Sequence, residues 1–214
     1  MRTAGTAEEM RDRILDAAER LLARFGYRKM TLDDLAREAG IGRRTLYLYF
    51  PGKEEITLCS IDRVVARIHE QLRAIASGPG PAEERLRRML VTRVLARFDQ
   101  VHDYHQSLDD MFAVLRPAYL TRRERYFDAE AHIFAEVLQE GQCLGAFAPL
   151  DPVQTAHTLL WATNSLLPYS LSVQELGARE DVEARADRIA RLLLDGVKSA
   201  YPPARPRASR PCPP

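Results

Sequence analysis

Arg43 and Arg44 stand side by side in the segment RRTLYLYF, followed by Thr45, Tyr47, Leu48 and Tyr49. These residue types suit one chemistry. Arginine forks two donors onto the O6 and N7 edge of guanine. The hydroxyls of threonine and tyrosine reach phosphate oxygens. Lys53, at the start of a following helix, combines its charge with the helix's first amides, a pairing that holds a phosphate. Thr31 opens the segment. Its hydroxyl serves an orphan amide of the next turn, a phosphate, or both. The candidate nucleic-acid contacts are therefore Thr31, Arg43, Arg44, Thr45, Tyr47, Leu48, Tyr49 and Lys53.

The elements that must carry these residues are legible as periodicities. Ile14, Leu15, Ala18, Leu21, Leu22 and Phe25 fall on one face of a 3.6-residue period, and Gly26 follows as a helix stop. Thr31 predicts an N-cap, and Asp34 three residues on favours the positive end of a helix. Leu32, Leu35, Ala36 and Ala39 give that helix its apolar side, and Gly40 ends it. Ile41-Gly42 is the turn, residues 43–50 are a second short helix, and Pro51-Gly52 stops it. Leu46 and Phe50, four apart, lock the second helix inward and leave its arginines, Thr45, Tyr47, Leu48 and Tyr49 for the outer faces. Two short helices joined by a glycine turn and backed by a third make a helix-turn-helix, whose second helix enters the DNA major groove.

In these residues the segment resembles the DNA-binding signature of the TetR/AcrR family of bacterial repressors. The resemblance is carried by Thr31, Leu35, Ala36, Ala39, Gly40, Ile41, Thr45, Leu46, Tyr47, Tyr49, Phe50, Lys53 and Glu54. Upstream it is carried by Ile14, Ala17, Ala18, Leu22, Phe25, Gly26 and Tyr27. It covers residues 10–60. The resemblance implies a homodimeric repressor of nine or ten helices, with helices 1–3 as the DNA head. The remainder binds a small molecule and dimerises through the last two helices. Ligand binding then moves helix four, separates the heads and releases a palindromic operator. Two positions depart from the family pattern. Gly42 replaces the serine common there, and Arg44 replaces a small residue, which points to a distinct operator.

The rest of the chain fits an all-α class. Helices are expected at 53–75, 82–101, 107–115, 118–140, 152–170 and 180–200, with a break at Arg116-Pro117. No segment alternates at period two long enough for a strand. The expected domains are a helix-turn-helix head over 1–53, a helical effector and dimerisation domain over 54–200, and a disordered Pro/Arg tail over 201–214. The net charge of +1 is unevenly spread: basic residues outnumber acidic ones in 1–53, and acidic residues outnumber basic ones in 54–200. A local basic patch on an acidic body permits phosphate contact where it is wanted and discourages it elsewhere.

Candidate effector contacts are aromatic or polar residues in apolar helices: Met89, Tyr104, Met111, Phe112, Tyr126, Phe127, Phe134, Trp161 and Asn164. They favour a small hydrophobic effector. Val182, Ala186, Ile189, Leu193 and Val197 follow helical spacing. With Val153, Ala156, Leu160, Ser165 and Leu167 they make either a four-helix dimer interface or intradomain core. His102 and His105 share a helix face, yet no third ligand accompanies them, so no metal and no cofactor is expected. Three cysteines, Cys59, Cys143 and Cys212, are few and far apart, against a disulfide framework and in keeping with a reducing cytoplasm. No apolar run reaches membrane length. G-x-S-x-G, P-loop and H-E-x-x-H patterns are absent, so an enzyme is not expected. The remaining alternative is a DNA-binding regulator controlled by a protein partner or without a ligand.

Overall fold

A computed structural model of the chain describes residues 6–102, 108–167 and 173–198. They form α1 (Ala7–Lys29), α2 (Leu32–Glu38), α3 (Arg43–Tyr49), α4 (Lys53–Ala76), α5 (Ala82–His102), α6 (Leu108–Cys143), α7 (Pro152–Thr163), α8 (Val173–Leu176) and α9 (Arg179–Val197). A 3-10 turn, Asn164–Leu166, follows α7. Among the described residues the only extended pairing is an isolated bridge between Phe147 and Lys198, so the fold is all-α as expected. Tyr104, His105 and the tail expected over 201–214 lie outside the described residues, as do the side chains of His102 and Phe112.

The chain folds as two compact units. The first comprises the described residues up to Ala66 with those of Gln100–Arg122; the second comprises Arg67–Asp99 with those from Arg123 onward. In the first unit α1 opens with a capping box: Glu9 N–H donates to the Thr6 hydroxyl and Thr6 N–H donates to the Glu9 carboxylate. Ile14, Leu15, Ala18, Leu21 and Leu22 of the expected face are buried, with Ala17 beside them, whereas Phe25, expected on that face, is 45% exposed where the helix reaches Gly26. At Gly26 the backbone turns to φ 76°, after which one further turn reaches Lys29.

The second unit is cored by Leu86, Met89, Leu90 and Val94 of α5, Ala131, Phe134 and Leu138 of α6, Leu159 and Leu160 of α7, and Ala190 and Leu194 of α9. Cys59 is a free, half-buried thiol.

Two expected boundaries are corrected. Residues 108–143 form one helix, with Pro117 inside it, where a break at Arg116-Pro117 was expected. An interior proline removes one helical hydrogen bond and crowds the preceding turn. Here Met111, Leu115 and Tyr119 are all buried at four-residue spacing, so one apolar face runs through the proline. The helix expected over 152–170 stops at Thr163, where the Asn164 N–H donates to the Trp161 carbonyl and the chain tightens into the 3-10 turn.

Candidate nucleic-acid interface

The site is built by α2, the turn after it and α3. The Thr31 hydroxyl accepts from Asp34 N–H at 3.1 Å and donates to the Asp34 carboxylate at 2.6 Å. That second bond holds the Asp34 carboxyl below its usual range. At the other end of α2, Gly40 adopts φ 65°. Its N–H donates to Arg37 O, and Ile41 N–H donates back to Ala36 O at 2.9 Å. This pair of bonds is the Schellman closure, which requires the left-handed conformation that glycine takes at little cost. The Arg13 guanidinium adds a bond to Ala39 O at 2.7 Å and so ties α1 to the turn.

Gly42 is the N-cap of α3 and supplies no side-chain bond. Within α3, Leu46 has 0% exposure and Phe50, just past it, 1%. Leu48 is 78% exposed, and Arg43, Arg44 and Tyr47 face solvent, with Thr45 and Tyr49 half-buried. One face is therefore fixed to the scaffold and the opposite face is presented outward. Arg11 of α1 holds the far end, donating to Tyr49 O at 2.9 Å with its guanidinium 4.3 Å from the Phe50 ring centre. Arg11 was not among the expected residues, because its partners lie in another helix.

Two of the cationic side chains expected to contact DNA already have protein partners. Arg43 Nη1 donates to both oxygens of the Asp33 carboxylate at 3.2 and 3.1 Å, and Nη2 lies 3.4 Å from the Tyr47 hydroxyl. The Tyr47 bond, followed by the Asp33 charge, raises the pKa of the Arg43 guanidinium. Lys53, the first residue of α4, donates to Tyr27 O at 3.0 Å with its ammonium 4.3 Å from the Tyr27 ring centre. Burial of Tyr27, with the Glu54 charge second, pushes its phenol pKa up.

The expected effector residues that are described fall in both units and differ in burial. Met89 and Phe134 are fully buried in the core of the second unit. Met111 belongs to the first unit, and Tyr126 is half-buried. Phe127 and Trp161 do meet: with His157 they form a triangular cluster of near-parallel rings, each pair of ring centres 5.5 to 5.9 Å apart, and Trp161 is 60% exposed.

Asn164 joins a polar cluster inside the second unit. Its Oδ1 accepts from Arg93 Nη2 at 2.9 Å. Arg93, side chain 2% exposed, also donates to Thr163 Oγ1 at 2.9 Å and to Glu130 at 3.0 Å. Arg97 meets the same carboxylate at 3.0 Å. Burial by itself raises the Glu130 pKa, but Arg93 and Arg97 outweigh it and the carboxyl is held below its usual range. Burial lowers the pKa of His69, which feels the Glu130 charge and whose Nε2 has no partner among the described residues. Arg93, Arg97, Glu130 and His69 escaped the sequence reading. The available signal was a charged pair, Arg93 and Arg97, on the stripe that includes Leu86, Met89 and Leu90.

Ala156, Leu160, Leu167, Val182 and Ala186, which the sequence left between dimer interface and core, are buried within the chain. The exposed large apolar residues of α7 and α9 are Trp161 and Leu192. No helix among the described residues is long and apolar enough to cross a membrane.

A capped α2, a glycine turn and an α3 anchored on one face define a helix-turn-helix DNA-binding head. The profile described as bacterial regulatory proteins, tetR family, matches residues 14–58, and that of the tetracyclin repressor-like C-terminal domain matches residues 82–190. The chain belongs to the TetR family of bacterial regulatory proteins. It is 41% identical over 70 residues to the transcriptional regulator EthR of Mycobacterium tuberculosis (strain H37Rv), a match to 33% of this chain and 32% of EthR. The likeness thus spans about a third of that relative's length. Over 215 residues it is 28% identical to the HTH-type transcriptional regulator Rv1255c of the same strain, covering 99% of this chain and 96% of that one. The crystal structure of a transcriptional regulator from Cytophaga hutchinsonii shares the fold, with a TM-score of 0.72 at 22% identity, over 87% of this chain and 97% of that one.

Proposed function

We propose that this regulator is a homodimeric repressor that binds a palindromic operator through α3 and is released by a small hydrophobic effector in the cytoplasm. The observation that carries the DNA assignment is the two-sidedness of α3: Leu46 buried, with Arg43, Arg44, Tyr47 and Leu48 presented outward. Arg43 and Arg44 read base edges, Thr31, Thr45, Tyr47 and Tyr49 serve phosphates, and Leu48 meets a thymine methyl. Lys53 contributes through the first amides of α4, its ammonium staying on Tyr27. Residues 1–53 act as the head, 54–200 as the effector and dimerisation part and 201–214 as a tail. The exposed Trp161 and Leu192 support dimerisation through α7 and α9. The apolar core around Met89 and Phe134, with polar Asn164 near one side, supports an effector that is mostly hydrophobic.

The test is binding of the purified protein to DNA upstream of its own gene and to a scrambled duplex over a range of salt. The expected preference is at least about a thousandfold, with one or two dimers per site. Equal, equally salt-sensitive binding to both duplexes contradicts operator recognition on that fragment.

A further inference from the structure

We propose that Asp33 determines specificity through Arg43, holding its guanidinium in one orientation so that it reads a base edge in place of any phosphate it meets. The proposal rests on α3 being the recognition helix and Arg43 a DNA contact. Neither capping nor packing of α2 uses the Asp33 side chain: Thr31 caps the helix, Asp34 pairs with Thr31, and Leu35 and Ala36 fill the core. The turn around Gly40 instead brings the first turn of α2 within reach of the first residue of α3. Arg43 is then gripped from two sides, by the Asp33 carboxylate at 3.1 Å and by Tyr47 one turn further along α3. Its guanidinium carbon lies 5.8 Å from the Tyr47 ring centre. About half of the side chain, 54%, stays exposed and able to meet DNA.

An unrestrained arginine at a DNA surface discriminates poorly, because every sequence offers phosphates. Pairing with Asp33 cancels the local charge and so weakens the sequence-blind attraction. A fork onto guanine depends on direction as well as charge, and an oriented guanidinium loses less freedom when it docks. Asp33 therefore suppresses the indiscriminate contact and keeps the directional one. A purely structural Asp33, acting on the α2 dipole, would change the melting temperature and leave base preference alone.

The test uses the full chain as wild type, Asp33→Asn, Arg43→Ala and the double variant. The probes are a duplex enriched from a random pool by the wild-type protein and a scrambled duplex, titrated across salt. Asp33→Asn is expected to bind the scrambled duplex about 2- to 5-fold tighter, the fold-change of an exposed ion pair. Its salt slope on that duplex becomes steeper by about one phosphate. Affinity for the enriched duplex does not rise, and base preference relaxes at the position that Arg43→Ala also relaxes. In the Arg43→Ala background, Asp33→Asn changes none of these readings. An equal gain on both duplexes, or an undiminished effect without Arg43, overturns the proposal. If Arg43→Ala alone leaves the enriched duplex bound as before, the assignment of the recognition helix fails first.

Discussion

Arg43 and Arg93 are the same side chain in opposite media, and each meets a carboxylate at about the same distance: Asp33 at 3.1 Å and Glu130 at 3.0 Å. The first pair lies open to water, where Coulomb attraction is weak and the two charges separate at little cost. Arg43 is therefore oriented by Asp33 while about half of its side chain stays open to water. The second pair has side-chain exposures of 2% and 1%. Separating it would leave a guanidinium with no water to solvate it. Arg93 is thus committed to the fold, joining α5, α6 and the end of α7 through Glu130, Thr163 and Asn164. The exposed pair is suited to presenting an arginine and the buried pair to anchoring one.

The largest expected effect breaks the buried side. Glu130→Gln leaves two arginines facing a neutral amide and costs about 3–5 kcal/mol of stability. Thermal unfolding then shifts down by roughly 6–20 °C. A shift within the error of the melt would show that Arg93 and Arg97 are supported without Glu130.

The next effect concerns the exposed side. Arg43→Ala and Arg44→Ala each weaken binding to an operator duplex by about 5- to 150-fold where the arginine reads a base. Neither moves the melting temperature by more than a degree or two, because surface changes of this kind are nearly neutral for folding. Calorimetry beside a binding titration separates the two readouts.

A smaller effect comes from pH and sharpens the comparison inside the body. Burial lowers the His69 pKa from 6.5, so the folded state prefers the neutral imidazole. Above about 6.5 the group is neutral in both states and adds no pH dependence. As pH falls below 6.5 the unfolded chain takes up the proton first, so stability declines until the lowered folded pKa is reached. Glu130 has the opposite origin: its folded pKa lies below 4.5, and its contribution is lost as pH falls from there through the folded value. Melting temperature is expected to fall in two stages, and His69→Gln removes the upper one. A single stage unaffected by that substitution would contradict the assignment.

The smallest effect is at Gly42. Its φ of −76° and ψ of 149° suit any residue, and an added Cβ would approach only Thr45 Oγ1, at 3.9 Å. Gly42→Ser restores the missing cap of α3 and adds a few tenths of a kcal/mol, read as a small rise in melting temperature.

The head was legible because its determinants are local. Thr31 with Asp34, Gly40 with its turn, and Leu46 with Phe50 are each set within a few residues, and the structure shows these caps and burials. The longer-range features were not. Lys53 reaches Tyr27 O, 26 residues away, and Arg93 meets Glu130 and Asn164 at separations of 37 and 71 residues. Spacing cannot reveal such pairings, although arginines on the apolar stripe of α5 were a visible anomaly. Pro117 misled in the opposite direction: a local breaking signal yielded to a buried face running through it. The effector residues stayed diffuse because large apolar side chains at helical spacing are what any core requires.

DNA recognition by α3 is tested by selection from a random duplex pool, carried out with the wild-type chain and the Arg43→Ala, Arg44→Ala double variant. The wild type is expected to enrich an inverted repeat of two half-sites about one helical turn apart or somewhat more, and the variant to lose preference at matching positions in both halves. Enrichment of the same repeat by the variant, or of no symmetric sequence by the wild type, would contradict reading by α3 in a dimer.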